Sequence, residues 1–122
     1  MNDTEHLNRA IAAHAQWKYR LKQAITSGKS EWTAESVRPD NLCEFGKWLH
    51  TASPAETATE RWKKIRELHA EFHKEAARIF ALALAGRKAE AEAAIALGSH
   101  FSKTSADLTL AIVSWRDSLG GR

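Results

Sequence analysis

His69 and His73 stand four residues apart in a strongly periodic segment. On a helix that spacing puts both imidazoles on one face, one turn apart, within reach of one ion. The pair by itself is weak evidence, because one buried and one exposed histidine would give the same spacing. His14 adds a second helix to the argument. It occupies an apolar stripe where leucine would pack better, and a neutral imidazole there still needs partners for its ring nitrogens. Cys43 is the sole cysteine and falls in the first turn of a short helical segment. Backbone N–H groups and the positive end of the helix dipole favour the thiolate at such a place, although a buried, unligated cysteine is the plainer reading of one thiol alone. Together three imidazoles and one thiolate make a nitrogen and sulfur donor set that suits tetrahedral zinc, with bonds of about 2.0–2.1 Å to nitrogen and about 2.3 Å to sulfur. Copper competes in affinity, and iron stays open on ligand type. A carboxylate dimetal site needs Glu-x-x-His on two helices, which the chain lacks, and haem on a single histidine fits poorly beside so many inward ligands.

Four helical segments must position these residues. The first starts at Asn2 or Asp3, where Asn2 and Glu5 suit a capping box, and stops near Ser27 and Gly28. Leu7, Ile11, His14, Lys18, Leu21 and Ile25 form its stripe. Residues 28–40 have no steady periodicity and read as a long connection, a length that usually serves a function. A short helix follows, capped by Asp40 or Asn41, with Glu44 in its first turn and its end near His50. Gly46 inside it implies that another backbone or a ring passes close.

The third segment opens on Ser53-Pro54-Ala55-Glu56, which supplies a cap, a first-turn proline and a reciprocal glutamate. Its expected stripe is Trp62, Ile65, His69, Phe72, Ala76, Ile79 and Ala83, and Gly86 ends it after about 32 residues. The last segment is expected to run from Arg87 to Leu119, with Leu97, Phe101, Leu108, Ile112, Trp115 and Leu119 buried and a bend at Gly98-Ser99. With no strand signal, the expected fold is all-α. It is an antiparallel four-helix bundle of three long helices and one short helix carrying the cysteine, in a single domain over residues 1–122.

Composition narrows the function classes. The chain has 122 residues, 43% hydrophobic and 27% charged, with two prolines, which suits helices and argues against disorder. The longest apolar run, residues 79–85, is far below the ~20 residues that span a bilayer, and the Asn2-Asp3-Thr4-Glu5 start is no signal sequence, so a cytoplasmic protein without membrane contact is expected. The single cysteine fits a reducing compartment. A net charge of +3 raises nucleic-acid binding, but the basic residues are scattered. The densest group, Arg61, Lys63, Lys64 and Arg66, surrounds inward Trp62 and Ile65 and reads as a solvated face, so no nucleic-acid partner is expected. Ala89, Ala91, Ala93, Ala94 and Ala96 would allow close helix approach, within the fold or between two copies.

Three blocks carry a resemblance: residues 10–17 around His14, residues 42–49 (Leu-Cys-Glu-Phe-Gly-Lys-Trp-Leu), and His69-Ala70-Glu71-Phe72-His73. In type and order they resemble the chemoreceptor zinc-binding (CZB) domain family, whose signature is a histidine, a Cys-x-Phe-Gly-x-Trp block and a His-x-x-x-His pair. The resemblance implies zinc ligands at His14, Cys43, His69 and His73, the four reached above from spacing and stripe position. Gly46 and Trp48 would hold the cysteine helix on the bundle, while Trp17 and Phe72 are expected to be core. His6, His50 and His100 match no ligand of the signature.

Four protein ligands leave no open position for water, so an enzyme is not expected. The resemblance implies a regulatory sensor of zinc or of oxidants such as hypochlorous acid. It would act on chemoreceptor signalling or diguanylate cyclase domains, in cis or in trans, as a homodimer, with Cys43 as a redox switch. A structural zinc bundle is the alternative, and a zinc hydrolase using Glu71 or Glu75 as base is a weaker one.

Overall fold

A computed structural model describes residues 3–29, 33–37 and 43–120. These residues form helices α1 (Asp3–Ser27), α2 (Ala34–Val37), α3 (Glu44–Leu49), α4 (Pro54–Thr57), α5 (Glu60–Leu84), α6 (Lys88–Ile95) and α7 (His100–Gly120). Among the described residues there is no strand, and the all-α helical bundle expected from periodicity is what the chain forms.

α1 buries Leu7, Ala10, His14, Trp17, Leu21, Ala24 and Ile25. These recur at helical spacing, so the helix turns one continuous line inward. Ile11 and Lys18, expected on that line, are half-buried at its margin. The helix stops where Gly28 takes a φ of 72° and its N–H bonds the Ala24 carbonyl at 2.8 Å. The expected Asn2, Asp40 and Asn41 caps lie outside the described residues.

The expected third helix divides. Ser53 accepts from the Glu56 N–H at 3.2 Å, with Pro54 in the first turn, as its sequence implies, yet this helix is the single turn of α4. Thr59 then turns extended, accepts from the Trp62 N–H at 3.1 Å and donates to the Glu56 carbonyl at 2.7 Å. A hydroxyl that bonds local backbone on both sides competes with helix continuation, so Thr59 ends one helix and caps the next. α5 therefore has 25 residues and buries Ile65, His69, Phe72, His73, Ala76, Ile79, Phe80 and Ala83 along its inner side.

The last segment is also two helices. Ala96 is extended and Gly98 takes a φ of 85°, which breaks the chain where a bend was expected. This overturns one core assignment: Leu97 is 93% exposed, because the extended residue before it carries its side chain off the face that Phe101 continues. Phe101, Leu108, Ile112 and Trp115 are buried as expected.

Ring contacts set the helix directions. Phe101 meets Phe72 at 5.4 Å and Arg61 lies 4.9 Å from the Trp115 ring, so α7 runs antiparallel to α5. His14 meets His69 at 5.2 Å and Trp17 meets Phe80 at 6.2 Å, so α1 and α5 advance together. The 28–40 connection packs its residues 33–37 against α5, where the Val37 carbonyl meets His73. Within it Thr33 and Ser36 cap each other's backbone N–H at 3.0 and 3.1 Å, which closes α2 and buries Val37. No helix among the described residues is long and apolar enough to cross a membrane.

Candidate metal centre

α1 and α5 bring His14, His69 and His73 to one interior point. Their exposures are 3%, 0% and 2%, and their candidate ligand nitrogens all lie within 4.8 Å of one another. His73 Nε2 is 3.2 Å from His69 Nε2, and Cys43 Sγ is 3.3 Å from the same His69 nitrogen. Around a tetrahedral ion with bonds of ~2.0–2.3 Å, neighbouring ligand atoms are separated by about 3.3–3.6 Å. Both observed distances are close to that edge, so the three histidines are near enough to share one small ion, with the Cys43 sulfur at that distance from His69.

The tautomers fit as well. His73 Nδ1 donates to the Val37 carbonyl at 2.7 Å. A carbonyl only accepts, so the proton sits on Nδ1, and Nε2 presents its lone pair to the other donors. This is the outer hydrogen bond that orients ligating histidines in metal proteins. On His14, Nδ1 is buried without a hydrogen-bond partner. Three imidazoles gathered at one interior point bring lone pairs together that a bound cation would satisfy.

Burial also fixes the charge state. Desolvation, followed by the charge of His73, lowers the His14 pKa to about 4, with the Ala10 backbone opposing the shift. Desolvation, followed by the charges of His73, His14 and His50, lowers His69 to about 2. Both rings are therefore neutral at neutral pH, the form that binds a metal.

Cys43 sits differently. It is the N-cap of α3, not a residue of its first turn as expected, and its sulfur accepts from the Gly46 N–H at 3.3 Å. The physical consequence survives the correction, since a capping atom lies where the free backbone donors favour negative charge. The thiol is half-buried, and the set of three histidines within 4.8 Å does not include it. Glu44 in the first turn and the end at His50 are as expected. Gly46 is buried, in keeping with the close packing its position implied.

Phe45 is the neighbour that sequence reasoning passed over. It meets His69 edge-on at 5.0 Å and His14 at 5.7 Å, and its place two residues after Cys43 was the available signal. The Val37 carbonyl had no signal, because any residue supplies a backbone acceptor. Trp17 and Phe72 are buried against the histidines as core residues. His50 caps the exposed end of α3, His6 stacks on Trp48, and His100 pairs with Glu71 at 2.8 Å. Glu75 pairs with Arg78 at 2.9 Å.

The chemoreceptor zinc-binding domain family matches the chain over residues 14–80. That span contains His14, Cys43, His69 and His73. No curated protein and no solved structure matches the chain. With a match over more than half its length, the chain belongs to the chemoreceptor zinc-binding domain family.

Proposed function

We propose that this chain is a zinc-dependent regulatory sensor in which His14, Cys43, His69 and His73 hold one zinc ion and Cys43 is the ligand that changes. The observation carrying this reading is unequal placement: the three imidazoles are almost fully buried on long helices, and the thiol is half-buried at the start of a six-residue one. Four protein ligands fill a tetrahedral ion, whereas catalytic zinc keeps a position open. Glu71 and Glu75 are engaged with His100 and Arg78, which speaks against either as the base of a hydrolase.

Oxidation of Cys43 gives the switch its chemistry. The thiolate displaces chloride from hypochlorous acid, forming an S–O bond as the O–Cl bond breaks, and leaves a sulfenic acid and Cl⁻. Sulfur loses the two electrons that chlorine gains. A neutral sulfenic acid is a poor ligand, so α3 loses its tie to the histidines. Family membership supports an output through chemoreceptor signalling or diguanylate cyclase domains, fused or separate, and a homodimeric assembly.

Zinc release during titration with hypochlorous acid, followed with a chromophoric chelator, tests the reading. One zinc per chain and release that tracks loss of the thiol are expected, while helicity by circular dichroism is kept. Equal oxidant-driven release from Cys43→Ala would end it. A purely structural zinc is the second reading, and it requires the chain to unfold when a chelator strips the metal.

A further inference from the structure

α3 touches more than the histidines. Phe45 and Trp48, three residues apart, lie on one face of this short helix. Phe45 closes over His14 and His69 as described above, and Trp48 enters a stack of aromatic and cationic groups. His6 lies nearly parallel to Trp48 with centroids 4.9 Å apart and 15° between the rings. Trp48 also meets Trp115 at 5.3 Å, and the Arg61 guanidinium covers Trp115 at 4.9 Å. Phe45 itself touches Trp48 at 5.9 Å, which joins the histidine contacts and the Trp48 stack into one column.

The column ends at particular places. His6 is in the first turns of α1, which begins at Asp3, and Trp115 is in the last turns of α7, which ends at Gly120. Because α7 runs antiparallel to α1, these two helix termini lie at the same end of the bundle. Arg116 donates to the Asn8 side chain at 3.1 Å there, which confirms the proximity. A cleft of about 260 Å³ beside the stack is lined by Asp3, Trp48, Leu49 and Trp115 among others.

We infer that His6, Trp48 and Trp115 are positioning residues for Cys43. Their stack presses α3 onto the histidines and ties ligation by the thiol to the start of α1 and the end of α7. The inference rests on the four-ligand reading above and adds the route by which the state of Cys43 reaches the rest of the molecule. His6 is half-buried and has no part in the ligand set, so its removal leaves the donors in place.

A double-mutant cycle on the full chain tests it, with zinc affinity as one readout and the thiolate-to-cobalt charge-transfer band of the Co²⁺-loaded protein as the other. His6→Ala is expected to weaken zinc binding about three- to tenfold, the worth of one aromatic pair. In the Cys43→Ala background the same substitution is expected to have no effect, since α3 then holds no ligand. The conservative Trp48→Phe should lie between wild type and His6→Ala. Labelling with 5-fluorotryptophan gives a second readout: zinc should shift the Trp115 ¹⁹F resonance in the wild type and fail to do so in Cys43→Ala. An equal His6→Ala effect in both backgrounds, or none in either, overturns the inference. Absence of the thiolate band from the wild type would overturn the four-ligand reading and this inference with it. A normal band with an uncoupled cycle overturns this inference alone.

Discussion

The two sides of the candidate centre are built by different physics. The histidine side belongs to α1 and α5, each of 25 residues, whose apolar stripes continue above and below the imidazoles into Leu7, Leu21, Ile65, Ile79 and Phe80. Burying each such side chain contributes roughly 1.5–3 kcal/mol, so the position of the rings is secured by packing far from the rings themselves. The cysteine side belongs to α3, whose six residues are too few to be stable alone. It is held by tertiary contacts: Phe45 on the histidines, Trp48 in its stack, the Trp62 Nε1–H donating to the Leu49 carbonyl at 3.0 Å, and the exposed Arg9–Glu44 ion pair at 3.3 Å. On the proposed reading, ligation by Cys43 would add to the few contacts that fix α3 and change little of what fixes α1 and α5. On loss of that ligand the proposed centre would keep the other three in place.

The sharpest way to break this comparison is to remove a donor from each side. With roughly 10–16 kcal/mol of zinc binding shared over four ligands, His69→Ala is expected to lower affinity on the order of a hundred- to thousandfold. Competition against a chromophoric chelator measures this. Cys43→Ala is expected to lose less, because the three histidines keep their geometry, and to leave the thermal midpoint of the metal-free protein nearly unchanged. A larger loss from Cys43→Ala than from His69→Ala would reverse the assignment of anchor and switch.

Acid distinguishes the two sides next. His14 and His69 have folded pKa values of about 4 and about 2, below the 6.5 of an unfolded histidine. The unfolded chain therefore takes up protons first, and stability rises with pH across the interval. The metal-free protein is expected to keep full stability above about pH 6.5 and to lose a few kcal/mol as pH falls toward 4. Urea titrations at pH 7.5 and 4.5 would show the difference, and His14→Leu should reduce it.

The smallest effect concerns the caps. Thr59 caps the histidine helix as Cys43 caps α3. Thr59→Ala is expected to cost about 1 kcal/mol of global stability with zinc affinity kept within twofold, by denaturant melts and chelator competition. A cap on a long helix supports the fold, whereas the cap on α3 is itself a proposed ligand.

Much of this arrangement was written in local patterns. The spacing of His69 and His73, the place of His14 within an apolar stripe and the Cys-x-Phe-Gly-x-Trp block are short-range features, and a helix converts them directly into shared faces. The all-α fold and the ends at Gly28 and Gly86 followed from the same kind of reading, since each glycine takes a positive φ at a helix terminus. The break at Thr59 was missed and the one at Gly98 was read only as a bend within one helix, because periodicity continues past both and local hydrogen bonds and backbone geometry select the full interruption. Leu97 went wrong for that reason: an unbroken helix would have buried it.

By itself, then, the sequence determined which residues can donate to a metal and which helices carry them, because helical periodicity is a property of the chain. The tertiary structure decided what the chain cannot encode one element at a time. It brought α1 and α5 together in parallel so that their histidines meet, supplied the Val37 carbonyl that sets the tautomer of His73, and brought the Cys43 sulfur to 3.3 Å from His69. Those distances depend on packing between segments far apart in sequence, and no periodicity reports them.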